Sequence, residues 1–178
     1  QSLGFPTERN LIYREGSYYL TEKPLEIENH VLSKEEYSVR KGDKTKIDRY
    51  YNILMSLAYF VYNKNCNAIS ETEFSEFYQE YQNTFIAPGY KEVKNNLLKC
   101  NLLKLSDEYY YKFSYNYIYY FLVAKYMASN IHSNEGINDI FDLCENIHDE
   151  QKANILVFIA HHIKNPQFIE ATQLALIT

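Results

Sequence analysis

The chain has no tryptophan, five glycines, four prolines and three cysteines. Cys66, Cys100 and Cys144 are odd in number and lie 34 and 44 residues apart. Such spacing makes neither a disulfide framework nor a clustered metal site, and it suits reduced thiols in a cytoplasmic protein. A basic excess is also missing: 18 Lys and Arg stand against 23 Asp and Glu, for a formal net charge of −5. No global field therefore draws the chain to polyanions, and nucleic-acid binding would have to rest on a local patch. Residues 1–20 carry Glu8, Arg9, Arg14 and Glu15 and lack the apolar block of a signal peptide, so nothing there supports secretion. The first residue is Gln1 rather than Met, which reads as part of a longer, processed or trimmed polypeptide.

What is abundant is tyrosine. Nineteen Tyr and seventeen Asn suggest a low-GC, bacterial coding bias, and a hydrophobic fraction of 46% over 178 residues is ample for a core. Residues 1–43 have no sustained helical period and read as a connector or the end of a preceding domain. Within them "LIYREGSYYL" suggests a hairpin about Glu15-Gly16, and Ser33 three residues before Glu36 suggests a helix start. From Lys44 the spacing of Ile47, Tyr50/Tyr51, Leu54, Leu57/Ala58 and Val61 predicts a helix of about five turns. "NKNCN" breaks it. Ser70 and Glu73 have capping-box spacing, and Phe74, Phe77/Tyr78 and Tyr81 give a second helix its apolar face. After the Pro88-Gly89 turn, Val93, Leu97 and Leu98 mark a third helix ending near Cys100 or Asn101. "LLKL" and "YYYKFS" about a polar "SDE" turn read as two short strands.

The predicted fold is thus mainly α: a winged helix, three helices plus a β-hairpin, over residues 44–132, followed by a helical bundle over 133–178. The latter draws on "INDIFDLCENI", "DEQKANILVFIAHHI" and "PQFIEATQLALI", with Pro166 suited to a helix start. The segment "KFSYNYIYYFLVAKYMA" (112–128) lies within a long helix expected from Asn116 to His132. A membrane span needs about 20 predominantly apolar residues; this run is too short, and it is bounded by Lys112 and Lys125. Base stacking on its rings is the second reading. Tyr117, Phe121, Ala124 and Ala128, spaced by three and four, favour a packing face instead.

Chemical motifs are sparse. "RKGDKTK" (40–46) lacks the frame of a phosphate-binding loop. His161 and His162 are adjacent and point about 100° apart on a helix, unlike an i, i+4 ligand pair. His148 suits a position just before a helix, and "SETEFSE" and "HDEQ" suit acidic first turns. No nucleophile motif is present. The third helix offers Lys91, Lys94, Asn95 and Lys99 as a groove-reading set, opposed by Asp107 and Glu108 in the wing turn.

"FSYNYIYYFLVA" (113–124) resembles the F-x-H-x-x-F-x-E-F/Y-x-A-A signature that ends the winged-helix domain of STAND NTPases, the NACHT-like switch ATPases. Phe113, Ile118, Phe121 and Ala124 fill its hydrophobic places. Residues 52–81 and 95–115 are similar to the segments preceding it in bacterial members, so the resemblance covers roughly residues 44–132. It implies a non-catalytic regulatory module that rests on an upstream nucleotide-binding domain of the same polypeptide. In this picture the module relays sensor occupancy, in bacterial defence against phage, with oligomerisation on activation. ADP or ATP would be bound by the parent protein, and no cofactor is expected in this chain. Where the family has a histidine reaching the β-phosphate of ADP, this chain has Tyr115, and where glutamate is frequent it has Tyr120. A phenol can donate the same hydrogen bond but gains no charge near neutral pH. Tyr115 is thereby the candidate nucleotide contact, the alternative being a core tyrosine that touches none. Phe113, Ile118 and Phe121 are expected to seat the helix under the wing. The rival function is a winged-helix transcription regulator using Lys91, Lys94 and Lys99.

Overall fold

The computed structural model describes residues 44–163, with side chains from residue 49 onward. The connector with its hairpin and Ser33 helix start, and the final helix from Pro166, lie outside the described residues. In chain order come α1 (Lys44–Asn63), α2 (Glu71–Thr84), α3 (Tyr90–Lys99), β1 (Leu103–Leu105), β2 (Tyr111–Phe113), α4 (Asn116–Ser129), α5 (Asn134–Glu145) and α6 (Glu150–Ile163). The chain is mainly helical.

Local chemistry sets the boundaries. At α2 the capping box forms: Glu73 N donates to Ser70 Oγ at 3.2 Å, and Ser70 N donates to Glu73 Oε2 at 2.8 Å. Glu73 also pairs with Lys64 at 2.7 Å, tying the end of α1 to the start of α2. Its carboxyl is held down at about 2, first by Lys64 and then by the Ser70 bonds. The acidic first turn of α6 carries Glu150, and Asp149 Oδ1 accepts from Lys152 N at 3.0 Å, which leaves His148 just before the helix. Helix α4 stops at Ser129, three residues short of the expected end. There Asn130 N donates to Tyr126 O and Met127 O, and Ser133 accepts from Gly136 N to start α5.

The hairpin is antiparallel, with Leu103 opposite Phe113, Lys104 opposite Lys112 and Leu105 opposite Tyr111. The alternation turns Leu103 and Phe113 inward and the lysine pair outward. Ile69, between α1 and α2, adds one bridge to Tyr111, its N and O bonding to Tyr111 O and N at 2.9 and 2.8 Å. The hairpin is thereby fixed to the segment preceding α2.

Helix α4 occupies the centre. Every residue from Tyr117 to Ala124 is buried, whereas Ala128 is only half-buried. The expected single packing face is therefore replaced by burial all round, because α1 and α6 cover α4 from different sides and β2 closes its start. One buried core runs without a break from Tyr50 on α1 to Ile159 on α6. Asn154 is buried within α6 and satisfied, its Nδ2 donating to Glu150 O at 2.8 Å.

Candidate functional site

The turn from β2 into α4 places Tyr115. Ser114 N donates to Leu102 O at 2.9 Å, closing the hairpin base, and Ser114 Oγ donates to Asn101 Oδ1 at 3.2 Å. Asn101 has φ 55°, in the left-handed region that asparagine tolerates best after glycine. From there its Nδ2 donates to Tyr115 Oη at 3.2 Å. The Tyr115 ring also lies 5.6 Å from Tyr117. Tyr115 is half-buried and has extended backbone as the N-cap of α4. The Tyr115 side chain does not cap the helix, whose first turn carries no carboxylate, so the phenol belongs to the residue at the positive end of α4. A phenol oxygen can both accept and donate a hydrogen bond.

Around it, the residues assigned to the wing seat divide. Phe113, Ile118 and Phe121 are all buried. Phe113 meets Tyr119 at 5.3 Å, behind the hairpin. Phe121 instead faces α6, edge-on to Phe158 at 5.7 Å and to His162 at 4.9 Å. Tyr120, in the place of the family's glutamate, is buried against Tyr119 at 5.6 Å.

The three lysines of the third helix do not share one environment. Lys91 and Lys99 are exposed. Lys94 is half-buried, 2.6 Å from Glu71 Oε1, with its ammonium 5.2 Å from the Tyr90 ring and 5.8 Å from that of Tyr111. Glu71 also accepts from Tyr90 Oη at 2.8 Å and, through its other oxygen, from Tyr111 Oη. These donors, Lys94 first and Tyr111 next, hold its carboxyl at about 2, while Glu71 raises Lys94 above its ordinary value. A single carboxylate thus fastens α2, α3 and β2 together. This cluster is not apparent in the sequence, since Glu71 reads as an acidic first-turn residue and its partners follow 19, 23 and 40 positions later.

The turn between β1 and β2 is built by Ser106 N donating to Tyr110 O at 2.8 Å and Tyr109 N donating to Ser106 O at 3.0 Å. Tyr109 is left at φ 62° with its ring exposed. The rings of His161 and His162 lie 5.6 Å apart. Among the described residues no group of His, Cys, Asp or Glu is arranged to hold a metal, and no helix is long and apolar enough to cross a membrane.

A family model described as Novel STAND NTPase 4 matches residues 67–123. The matched stretch runs from just before the Ile69 bridge, through α2, α3 and the hairpin, into the buried half of α4, and it supports a STAND-related domain in this chain. No curated protein and no solved structure matches it.

Proposed function

We propose that residues 44–132 are the winged helix of a bacterial STAND-type switch NTPase and that the helices behind it relay sensor occupancy to an upstream nucleotide-binding domain. The observation that carries this reading is the coincidence of the STAND match over 67–123 with a helix-helix-helix-hairpin order that delivers a half-buried tyrosine to the N-cap of the next helix. The Ile69 bridge to Tyr111 adds support, since it gives the hairpin a third backbone partner ahead of the second helix. The module is non-catalytic in this reading. It acts as a stiff body with two docked positions separated by a few kcal/mol, the balance being set by nucleotide and by the sensed ligand. Tyr115 donates to the β-phosphate of ADP in the resting position, beside the positive end of α4. The setting is cytoplasmic defence against phage, with assembly into oligomers on activation.

The DNA-reading alternative has less support, because Lys94 is already engaged by Glu71. Two measurements test the proposal. The coding sequence upstream of Gln1 is expected to specify a phosphate-binding loop with its lysine, and its absence would overturn the switch reading. In the polypeptide carrying that loop, Tyr115→Phe is expected to weaken ADP about 10- to 100-fold, the worth of one hydrogen bond to a charged group. Unchanged affinity would remove Tyr115 from the site.

A further inference from the structure

Beside its core stripe, α1 sets Ser56, Phe60 and Asn63, together with the buried Tyr59, at helical spacing along one wall of a groove. Phe77, Tyr81 and Phe85 form the opposite wall from α2, and Tyr126 of α4 contributes to the lining. The groove holds about 390 Å³. Its rings are ordered against one another: Tyr59 stacks on Tyr126 at 4.1 Å, Phe60 meets Phe77 at 5.1 Å, and Tyr81 meets Phe85 at 4.8 Å. Where α2 ends, Phe85 is 54% and Ile86 is 86% exposed, extending the apolar wall into solvent. Two aromatic walls, each about two helical turns long, match the apolar face of a third helix.

Carboxylates outnumber cations at the margins: Glu80 and Lys64 both line the groove, Lys64 with its ammonium 5.1 Å from the Phe60 ring. On α2, Glu73, Glu76 and Glu80 follow at spacings of three and four, and on α5 so do Glu135, Asp139 and Asp142. Tyr59 ties the second row to the groove, its Oη donating to Asp139 at 2.7 Å and lying 3.4 Å from Glu135. Glu73 is neutralised by Lys64 and Asp142 by Lys152. Among the described residues, Glu76, Glu80, Glu135 and Asp139 have no lysine or arginine in ion-pair contact. Crowding of this kind is felt within the row: burial first, then Glu135 and Asp142, raise the Asp139 carboxyl, against the bond from Tyr59.

We infer that this groove is a docking site for a basic amphipathic helix of a partner protein, whose apolar face fills the aromatic trough and whose flanking Lys and Arg meet Glu80 on one side and Glu135 and Asp139 on the other. The inference does not rest on the STAND reading. An aromatic trough alone would accept any apolar helix; the two acidic rows select a cationic one.

The test is selection on the 178-residue chain from a displayed library of helices about 16 residues long, with leucines fixed at i, i+3, i+4 and i+7 and random flanks. Retained sequences are expected to be enriched in Lys and Arg at the flanks. A selected peptide, followed by fluorescence anisotropy, is expected to bind Glu80→Lys and Phe85→Ala at least about tenfold more weakly. Both positions are exposed, and unchanged far-UV circular dichroism checks that the variants fold. Neutral or acidic flanks, no retained sequence, or full affinity for Glu80→Lys would each overturn the proposal. So would a dimer that Phe85→Ala converts to monomer in sedimentation, which would assign the groove to a second copy of this chain.

Discussion

Glu71 receives donors from α3 and β2, and its half-exposed side chain limits what the ion pair alone contributes to about 1 kcal/mol or less. The two tyrosine bonds add to it. Because the folded carboxyl sits at about 2, below an ordinary value of 4.5, the stabilisation is fully present above the ordinary value and is lost as pH falls through the folded one. Glu71→Gln is therefore expected to lower the melting temperature at pH 7 by a few degrees and to lose less stability than the wild type on acidification from about pH 5 to pH 2. Melts at several pH values check this, and parallel curves for the two proteins would contradict it. Asp139 carries the opposite sign. Its folded pKa is raised, so its charged form is a burden above that pKa, and the burden is relieved as pH falls. Asp139→Asn keeps an oxygen to accept from Tyr59 Oη and removes the repulsion. It is expected to be neutral or stabilising by about 0.5 kcal/mol at pH 7, with the gain vanishing at acidic pH; a clear loss at pH 7 would count against this account. Neither role could be read from the sequence, because pairing across 23 and 80 positions leaves no local pattern.

At the scale of the element, the joint between α4 and α5 turns on Gly136. A Cβ there would stand 2.2 Å from Asn130 O and 2.7 Å from Asn130 C, both backbone atoms that have no side chain to swing away. Alanine ordinarily gains about 1 kcal/mol over glycine inside a helix. Here the clash reverses the sign, and Gly136→Ala is expected to cost about 1–3 kcal/mol, read as a lower urea midpoint; a raised midpoint would show that the joint opens freely. Elements of this kind were legible where their causes are local. The Ser70–Glu73 box, the Val93 and Leu97 stripe and the strand alternation all act within a few residues, and each stands where the spacing put it. Helix α4 was legible as a helix and not as to its place. A one-sided stripe describes a helix with one neighbour, and α4 has α1 and α6 on different sides, so its uninterrupted Tyr117–Ala124 burial has no period to detect. Tyr115 was singled out through family resemblance alone, whereas the aromatic trough had a signal in the α1 positions 56, 60 and 63 that the core stripe obscured.

For the molecule as a whole, α4 decides how the described residues unfold. Its Phe121 ring is fully buried and meets Phe158 edge-on across the joint with α6, while Tyr59 on α1 stacks against Tyr126 further along the same helix. Removing either neighbour would expose apolar surface on α4, so the hairpin-bearing part and the trailing helices each lack a complete core alone. Urea unfolding followed by far-UV circular dichroism and by tyrosine near-UV signal is expected to give coincident single transitions. Phe121→Ala is expected to cost about 3–5 kcal/mol, a large part of the 5–15 kcal/mol typical of a domain, and to move both transitions together. Phe158→Ala, on the other side of the contact, should do the same. Were α1 to α4 to retain their midpoint while α6 melted early, α4 would be a platform complete without the helices behind it. A relay through those helices then could not work by moving a single rigid body, because strain entering at α6 would be absorbed by its detachment before reaching the hairpin.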